Sequence, residues 1–272
     1  MLRYFMVAAL SVIACTPATQ ASPAAQVTPA ASAPASPQPT LSAVVPESAT
    51  ATARPSPSAT AMALDQAVGC YAEKPCRLQP GTHVTTGEFG FIPGLTFTVP
   101  SGWFSPYHSA GELALERSDV RHGIYIGRGA VPVPGHRGLA VATDGTAAGL
   151  AEWISRHPDL VISEPEQTTI GAGIDAVTVL VSVAADAETD DPDCPTRACV
   201  DFITDPVHAD FPFGIPAGEV ARLYLADIGD ARSPNVLMVN VWSPTDSDLA
   251  RLEILAQPIL DSLILPVVII NN

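Results

Sequence analysis

The run Ile174-Asp175-Ala176-Val177-Thr178-Val179-Leu180-Val181-Ser182-Val183 decides how this 272-residue chain is read. Six of its ten residues are β-branched, a composition that packs well on a pleated surface and is stiff in a helix. It reads as the central strand of a sheet. Working outward, residues 160–163 and 168–171 are shorter strands ahead of it. Beyond it, residues 220–228 and 236–242 alternate apolar and polar side chains, a hairpin whose turn is Gly229-Asp230-Ala231-Arg232-Ser233-Pro234.

Two helices punctuate these strands. Thr146 is placed to cap the first, with Leu150, Trp153, Ile154 and His157 on one face and Pro158 as its stop. The second starts at Asp246 or Asp248, carries the apolar stripe Leu249, Leu252, Leu255, Ile259 and Leu263, and is expected to kink at Pro258. Nearer the start, residues 95–99 alternate as a strand that ends at Pro100-Ser101-Gly102 before Trp103; Leu113, Leu115, Ile124 and Ile126 repeat the alternation. Strands, helix, strands, helix predict an α+β domain over residues 63–272, a mainly antiparallel sheet flanked by two or more helices.

That order, with the Pro-Ser-Gly-Trp step at 100–103, the mid-chain helix, a Gly-containing strand pair and the Asp261-Ser262-Leu263 ending of the last helix, resembles the PsbP-like α/β/α sandwich across residues 90–265. It also resembles an uncharacterised class of bacterial lipoproteins. The resemblance implies a non-catalytic extracytoplasmic module and transfers no binding residue.

The N-terminal end carries its own signal. Arg3 precedes the apolar run Tyr4 to Ile13, which spans about 15 Å as a helix, half a bilayer core, and so reads as a signal-peptide segment rather than a stable transmembrane helix. Val12-Ile13-Ala14-Cys15 resembles the lipobox of bacterial lipoproteins. It implies cleavage after Ala14 and lipidation, palmitate included, of Cys15, with two acyl chains for stable anchoring; an ordinary secretory signal cut near Ala21 is the alternative. Residues 16–62 are almost all Ala, Pro, Ser, Thr and Gln, develop no apolar face, and read as a disordered tether, spanning roughly 35 to 40 Å as a coil. Its Ser/Thr/Pro mixture also resembles O-glycosylated stalks.

Charge narrows the partners. Of 28 acidic and 13 basic residues, only Glu47, Arg3 and Arg54 precede Met62, leaving 27 acids against 11 bases in the remainder. Such a surface disfavours nucleic acid, whose phosphates need a basic face, and disfavours anionic headgroups.

With Cys15 assigned to lipid, Cys70, Cys76, Cys194 and Cys199 remain, an even number outside a reducing compartment. Sequence proximity favours Cys70 with Cys76 and Cys194 with Cys199, although three pairings exist. Zinc is the alternative, but the spacings fit a knuckle poorly. Asp186, Glu188, Asp190, Asp191 and Asp193 offer oxygens for calcium, yet aligned as an EF-hand loop the required Gly falls on Asp191 and the bidentate Glu on Arg197. The loop reads as solvated, and no cofactor is expected. Ser109, in Tyr107-His108-Ser109-Ala110-Gly111, resembles half of a nucleophile elbow with Tyr in place of the first Gly, and the strand-like residues 112–116 follow where a helix is needed. It reads as a loop between strands. Trp103, Trp153 and Trp242 read as core anchors, and the six histidines show no metal spacing.

The leading expectation is therefore a membrane-anchored extracytoplasmic lipoprotein, a non-catalytic binding module for an unknown protein, glycan or lipid. An envelope-associated hydrolase using Ser109, or a structural accessory of a membrane complex, are the alternatives.

Overall fold

The computed structural model describes residues 61–64, 76–85, 92–106, 108–109, 112–120, 122–135, 138–187, 198–204, 213–229 and 235–266, with the backbone alone for Cys76, His108 and Ser109. The chain divides into two compact units, Met1–Pro55 and Ser56–Asn272, and every described residue belongs to the second. The signal segment 1–14, Cys15, the tether as far as residue 60, Cys70, Cys194, Glu188, Asp190, Asp191 and Asp193 lie outside the described residues.

In chain order the strands are β1 (Met62–Ala63), β2 (Cys76–Arg77), β3 (Gly81–Val84), β4 (Thr96–Val99), β5 (Trp103–Ser105) and β6 (His108–Ser109). Then come β7 (Glu112–Arg117), β8 (Gly123–Arg128), β9 (Val131–Pro132), helix α1 (Ala147–Ile154), β10 (Leu160–Ile162) and β11 (Glu166–Ile170). The last are β12 (Ile174–Val183), β13 (Cys199–Thr204), β14 (Phe213–Pro216), β15 (Val220–Asp227), β16 (Val236–Ser243) and helix α2 (Asp246–Asp261).

Ten strands join one antiparallel sheet in the order β10-β12-β15-β16-β8-β7-β5-β2, with β11 also on β12 and β6 on β7. Strand alternation sends Val177, Val179, Val181, Leu223, Leu225 and Met238 to one face, and Ala176, Val220, Val239 and Val241 to the other. The first face is covered by α1 and a small sheet ordered β14-β13-β9; the second by α2 and a small sheet ordered β1-β3-β4. Both faces are buried, which is why β16 is apolar nearly throughout.

Local chemistry sets the helix positions. The Thr146 side chain accepts the Gly149 amide hydrogen at 3.0 Å, while Asp227 Oδ1 on β15 accepts that of Ala147 at 2.7 Å and ties α1 to the sheet. In α2 the Thr245 hydroxyl accepts from the Asp248 amide at 3.1 Å and donates to the Asp248 carboxylate at 2.9 Å. The helix runs through Pro258 to Asp261. Its last carbonyls are met by the β11–β12 turn, where Gly171 and Ala172 amides donate to Leu260 and Leu263 oxygens at 2.8 and 3.0 Å. Gly171 has φ +56°, and a Cβ there would lie 1.9 Å from the Leu263 oxygen, so the approach requires glycine.

The expectation of an α+β, PsbP-like α/β/α sandwich is corrected. The described residues hold many strands and only two helices, arranged in large antiparallel sheets, and this is not a helix-flanked sandwich. The physical reason lies in the covering layers. Much of what covers the main sheet is made of strands two to six residues long, too short for a period to stand out, and of these the sequence pattern marks residues 95–99 alone. All six residues of β13 are buried, so no alternation marks it.

Candidate ligand pocket

The main sheet and the β14-β13-β9 layer meet at a narrow recess with free space of about 10 Å³, room for about one water, whose walls include Glu112, Tyr125, Met238, Ile203, Thr204 and Phe213. Register builds it. Glu112 on β7 and Met238 on β16 both pair with Gly127 on β8, so the three form one row across the sheet. Tyr125, two residues from Gly127 on the same strand, lays its ring over the glycine; a Cβ at Gly127 would stand 2.9 Å from Tyr125 Cε1. The hydroxyl thereby reaches the next row and donates to Glu112 Oε1. Phe213 stacks on Tyr125 with centroids 5.5 Å apart and planes at 30°, and meets Phe202 edge-on at 5.7 Å and 74°. The wall is thus aromatic and apolar with one carboxylate. Arg128 adds a cation at the rim.

One row away, Asn240 on β16 pairs with Tyr125 and with Leu223. It stands on the same face as Met238, is fully buried, and neither Oδ1 nor Nδ2 meets a hydrogen-bond partner.

Farther along the same face lies a charged cluster. His122 adopts φ +67°, unusual for a residue with a side chain. Its ring stacks on Trp242, and its Nε2 lies 3.3 Å from Oε1 of the buried Glu219, an ion-pair distance without hydrogen-bond alignment. Burial raises the pKa of nearby Glu116, with His122 pulling it down. Glu219 also borders an open polar recess of about 340 Å³ with Ser182, Thr245 and Asp246.

The sequence candidates fall elsewhere. Ser109 pairs with Glu112 in the β6–β7 hairpin, and a strand follows it, so no strand-turn-helix elbow forms there. His122 precedes Gly123, which pairs with Glu116 at the other end of β7; the four-residue offset from Glu112 is roughly 13 Å of strand. Ser109 and His122 are not brought together. Cys199 opens β13 at 2% exposure as a disulfide cysteine, and its partner sulfur is not among the described side chains. Cys76 pairs by its backbone with Ser105. Asp186 is exposed, and no group of three His, Cys, Asp or Glu among the described residues is arranged to hold a metal. No helix among them is long and apolar enough to cross a membrane.

Sequence reasoning missed Glu112, Tyr125, Phe213 and Asn240. A signal existed for one: Asn240 is the lone amide in an otherwise apolar run from Val236 to Trp242. No protein-family model matches the chain, and no curated protein matches it.

Proposed function

We propose that the chain is a lipid-anchored extracytoplasmic binding module whose ligand seat is the recess between Tyr125 and Phe213. What supports the binding reading is the aromatic and apolar lining set around a hydrogen-bonded Tyr125–Glu112 pair; its free space at rest is that of about one water, so a ligand is admitted only if the half-buried Phe213 moves aside. The location rests on Val12-Ile13-Ala14-Cys15 and on the acidic remainder of the chain; paired Cys70–Cys76 and Cys194–Cys199 belong to the same reading. A strand, β7, follows Ser109 where a nucleophile elbow needs a helix, which favours binding over Ser-based hydrolysis.

The test is a thermal-shift titration of the full-length chain with indole, a flat apolar probe with one N–H for Glu112. A saturable rise in Tm that Phe213→Ala removes supports the seat. No rise, or an equal rise in the variant, rejects it.

A further inference from the structure

The open recess beside Glu219 has ligand-sized free space at rest, about 340 Å³, at the low end of what small-molecule sites offer. Register builds part of its lining. Ser182 on β12 pairs with Val220 on β15, and Pro244 and Asp246, where β16 gives way to α2, line the same space. Gly218, in the turn into β15, has φ +86°, and a Cβ there would meet nothing within 4 Å, so no side chain closes the recess at that wall.

The chemistry of the lining is one-sided. It carries two carboxylates, Glu219 at 5% exposure and Asp246 in the first turn of α2, and among the described lining residues there is no Lys, Arg or His. Arg222, two residues along β15 from Val220, is engaged by Glu253, and His122 meets Glu219 without lining the recess. The Ser182 hydroxyl and the Asp246 carboxylate meet no hydrogen-bond or ion-pair partner among the described residues. Two carboxylates repel an anion. An inorganic cation is poorly served, since no group of three His, Cys, Asp or Glu among the described residues is arranged to hold a metal. Carboxylates from two separate elements call for two cationic groups, and the aliphatic Val183, Val220 and Pro244 call for a hydrocarbon link.

We infer that this recess binds a short aliphatic diamine, one ammonium at Glu219 and the other at Asp246, with its methylenes on Val183, Val220 and Pro244. The Ser182 hydroxyl accepts a further ammonium N–H. The acidic excess of the domain draws a dication towards it. Val220 belongs to the core under α2 and Tyr125 to the core on the other face, so this site is separate from the indole seat and stands or falls without it.

The test is a calorimetric titration of the full-length chain with 1,4-diaminobutane, n-butylamine and 1,4-butanediol at matched ionic strength. Expected is one saturable site for the diamine, with a dissociation constant about fivefold higher for n-butylamine and at least about tenfold higher for butanediol, which lose one and both charged contacts. Asp246→Asn should weaken diamine binding about fivefold, the scale of one exposed ion pair. Ser182→Leu, which fills the recess at unchanged net charge, should abolish it. Asp175→Asn removes the same charge seven residues from Ser182, about 23 Å along β12, and should leave the affinity unchanged. Asp175 and Asp246 are both exposed, so their variants decide the matter whatever Ser182→Leu does to folding. Absence of saturable diamine binding overturns the inference, as does equal binding of n-butylamine or butanediol. Equal weakening by Asp175→Asn and Asp246→Asn overturns it too, by assigning the diamine to the acidic surface at large, and so does undiminished binding by a folded Ser182→Leu.

Discussion

His122 stacks on Trp242 with ring centroids 5.5 Å apart and planes 19° from parallel. The stack is made from a backbone with φ +67°, a region that costs an L-residue about 1 to 2 kcal/mol and glycine almost nothing. A strained residue held against an aromatic ring and a buried carboxylate invites a functional reading only if the strain is real. Two variants that both lose the ring isolate it: His122→Gly should be about 1 kcal/mol more stable than His122→Ala in urea unfolding. Equal stabilities would mean that the loop relaxes out of the left-handed region at no cost.

Glu116 supplies a pH signature at the same place. Burial raises its pKa, and the opposing attraction of His122 leaves the net direction upward. A carboxyl whose folded pKa is raised favours the fold when protonated, and that contribution is lost as pH rises through the raised value. Glu116→Gln should therefore raise Tm at pH 7 to 8, and the gain should vanish below about pH 3.5, where glutamate is mostly protonated in both states. Melting curves across that range check it; a gain independent of pH would assign the effect to something other than ionisation.

His157 works in the other direction. Burial lowers its pKa against the pull of Asp159. Its Nδ1 accepts the Asp159 amide hydrogen at 3.3 Å, and its ring meets Trp153 at 5.5 Å and 66°. A depressed histidine stabilises the fold above its unfolded pKa of about 6.5, and that contribution is lost as pH falls through the folded value. Wild-type Tm should fall faster than that of His157→Phe between about pH 6.5 and 4.5. Parallel curves would mean that the imidazole is not kept neutral by burial.

Legibility in the sequence followed the length of each periodic segment. β12, the β15–β16 hairpin and α2 span eight residues or more, long enough for a period of 2 or 3.6 to stand out. The Thr146 cap was visible as local chemistry; Thr245, one residue ahead of the expected start at Asp246, was not singled out. β9, β13 and β14 were not, because a two-residue strand has no period and a strand buried on both sides has no alternation. Their pairing of Ile203 with Pro132 is a long-range contact with no local sign. The pocket was hidden for the same reason: Tyr125 and Phe213 meet only because that layer folds over the main sheet. Glu112 and Tyr125 were nearer to view, thirteen residues apart in a hairpin whose register sets Glu112 opposite Gly127. Ser109 sits in a motif fragment whose context the β7 strand denies.

Gly127 is the position where the pocket can be closed with one methyl group. A Cβ there would stand 2.9 Å from Tyr125 Cε1 and 3.4 Å from its hydroxyl oxygen, so the ring must shift off the glycine and its bond to Glu112 is strained. Gly→Ala in a strand otherwise favours folding through lower unfolded-state entropy. Gly127→Ala should nevertheless destabilise by about 1 to 3 kcal/mol and abolish the indole-dependent rise in Tm. A variant as stable as the parent, still binding indole, would mean that Tyr125 has another resting place and does not form the wall.

The proposed anchor has the most direct consequence, because it rests on one atom. If Cys15 carries diacylglycerol, its thiol is consumed and the protein partitions by two acyl chains, whose burial at about 0.8 kcal/mol per CH₂ makes release negligible. The acidic surface disfavours electrostatic retention on anionic lipid, since 27 acids oppose 11 bases after Met62 once Glu47, Arg3 and Arg54 are set aside. No helix among the described residues offers a span in its place. Cys15→Ala in the full-length chain should therefore move the protein from the membrane to the soluble fraction, and only the parent should show the mass of a lipid-modified N-terminal cysteine. Retention of the variant in the membrane through a high-salt and carbonate wash would defeat the lipid anchor and return the leader to an ordinary signal or an uncleaved segment.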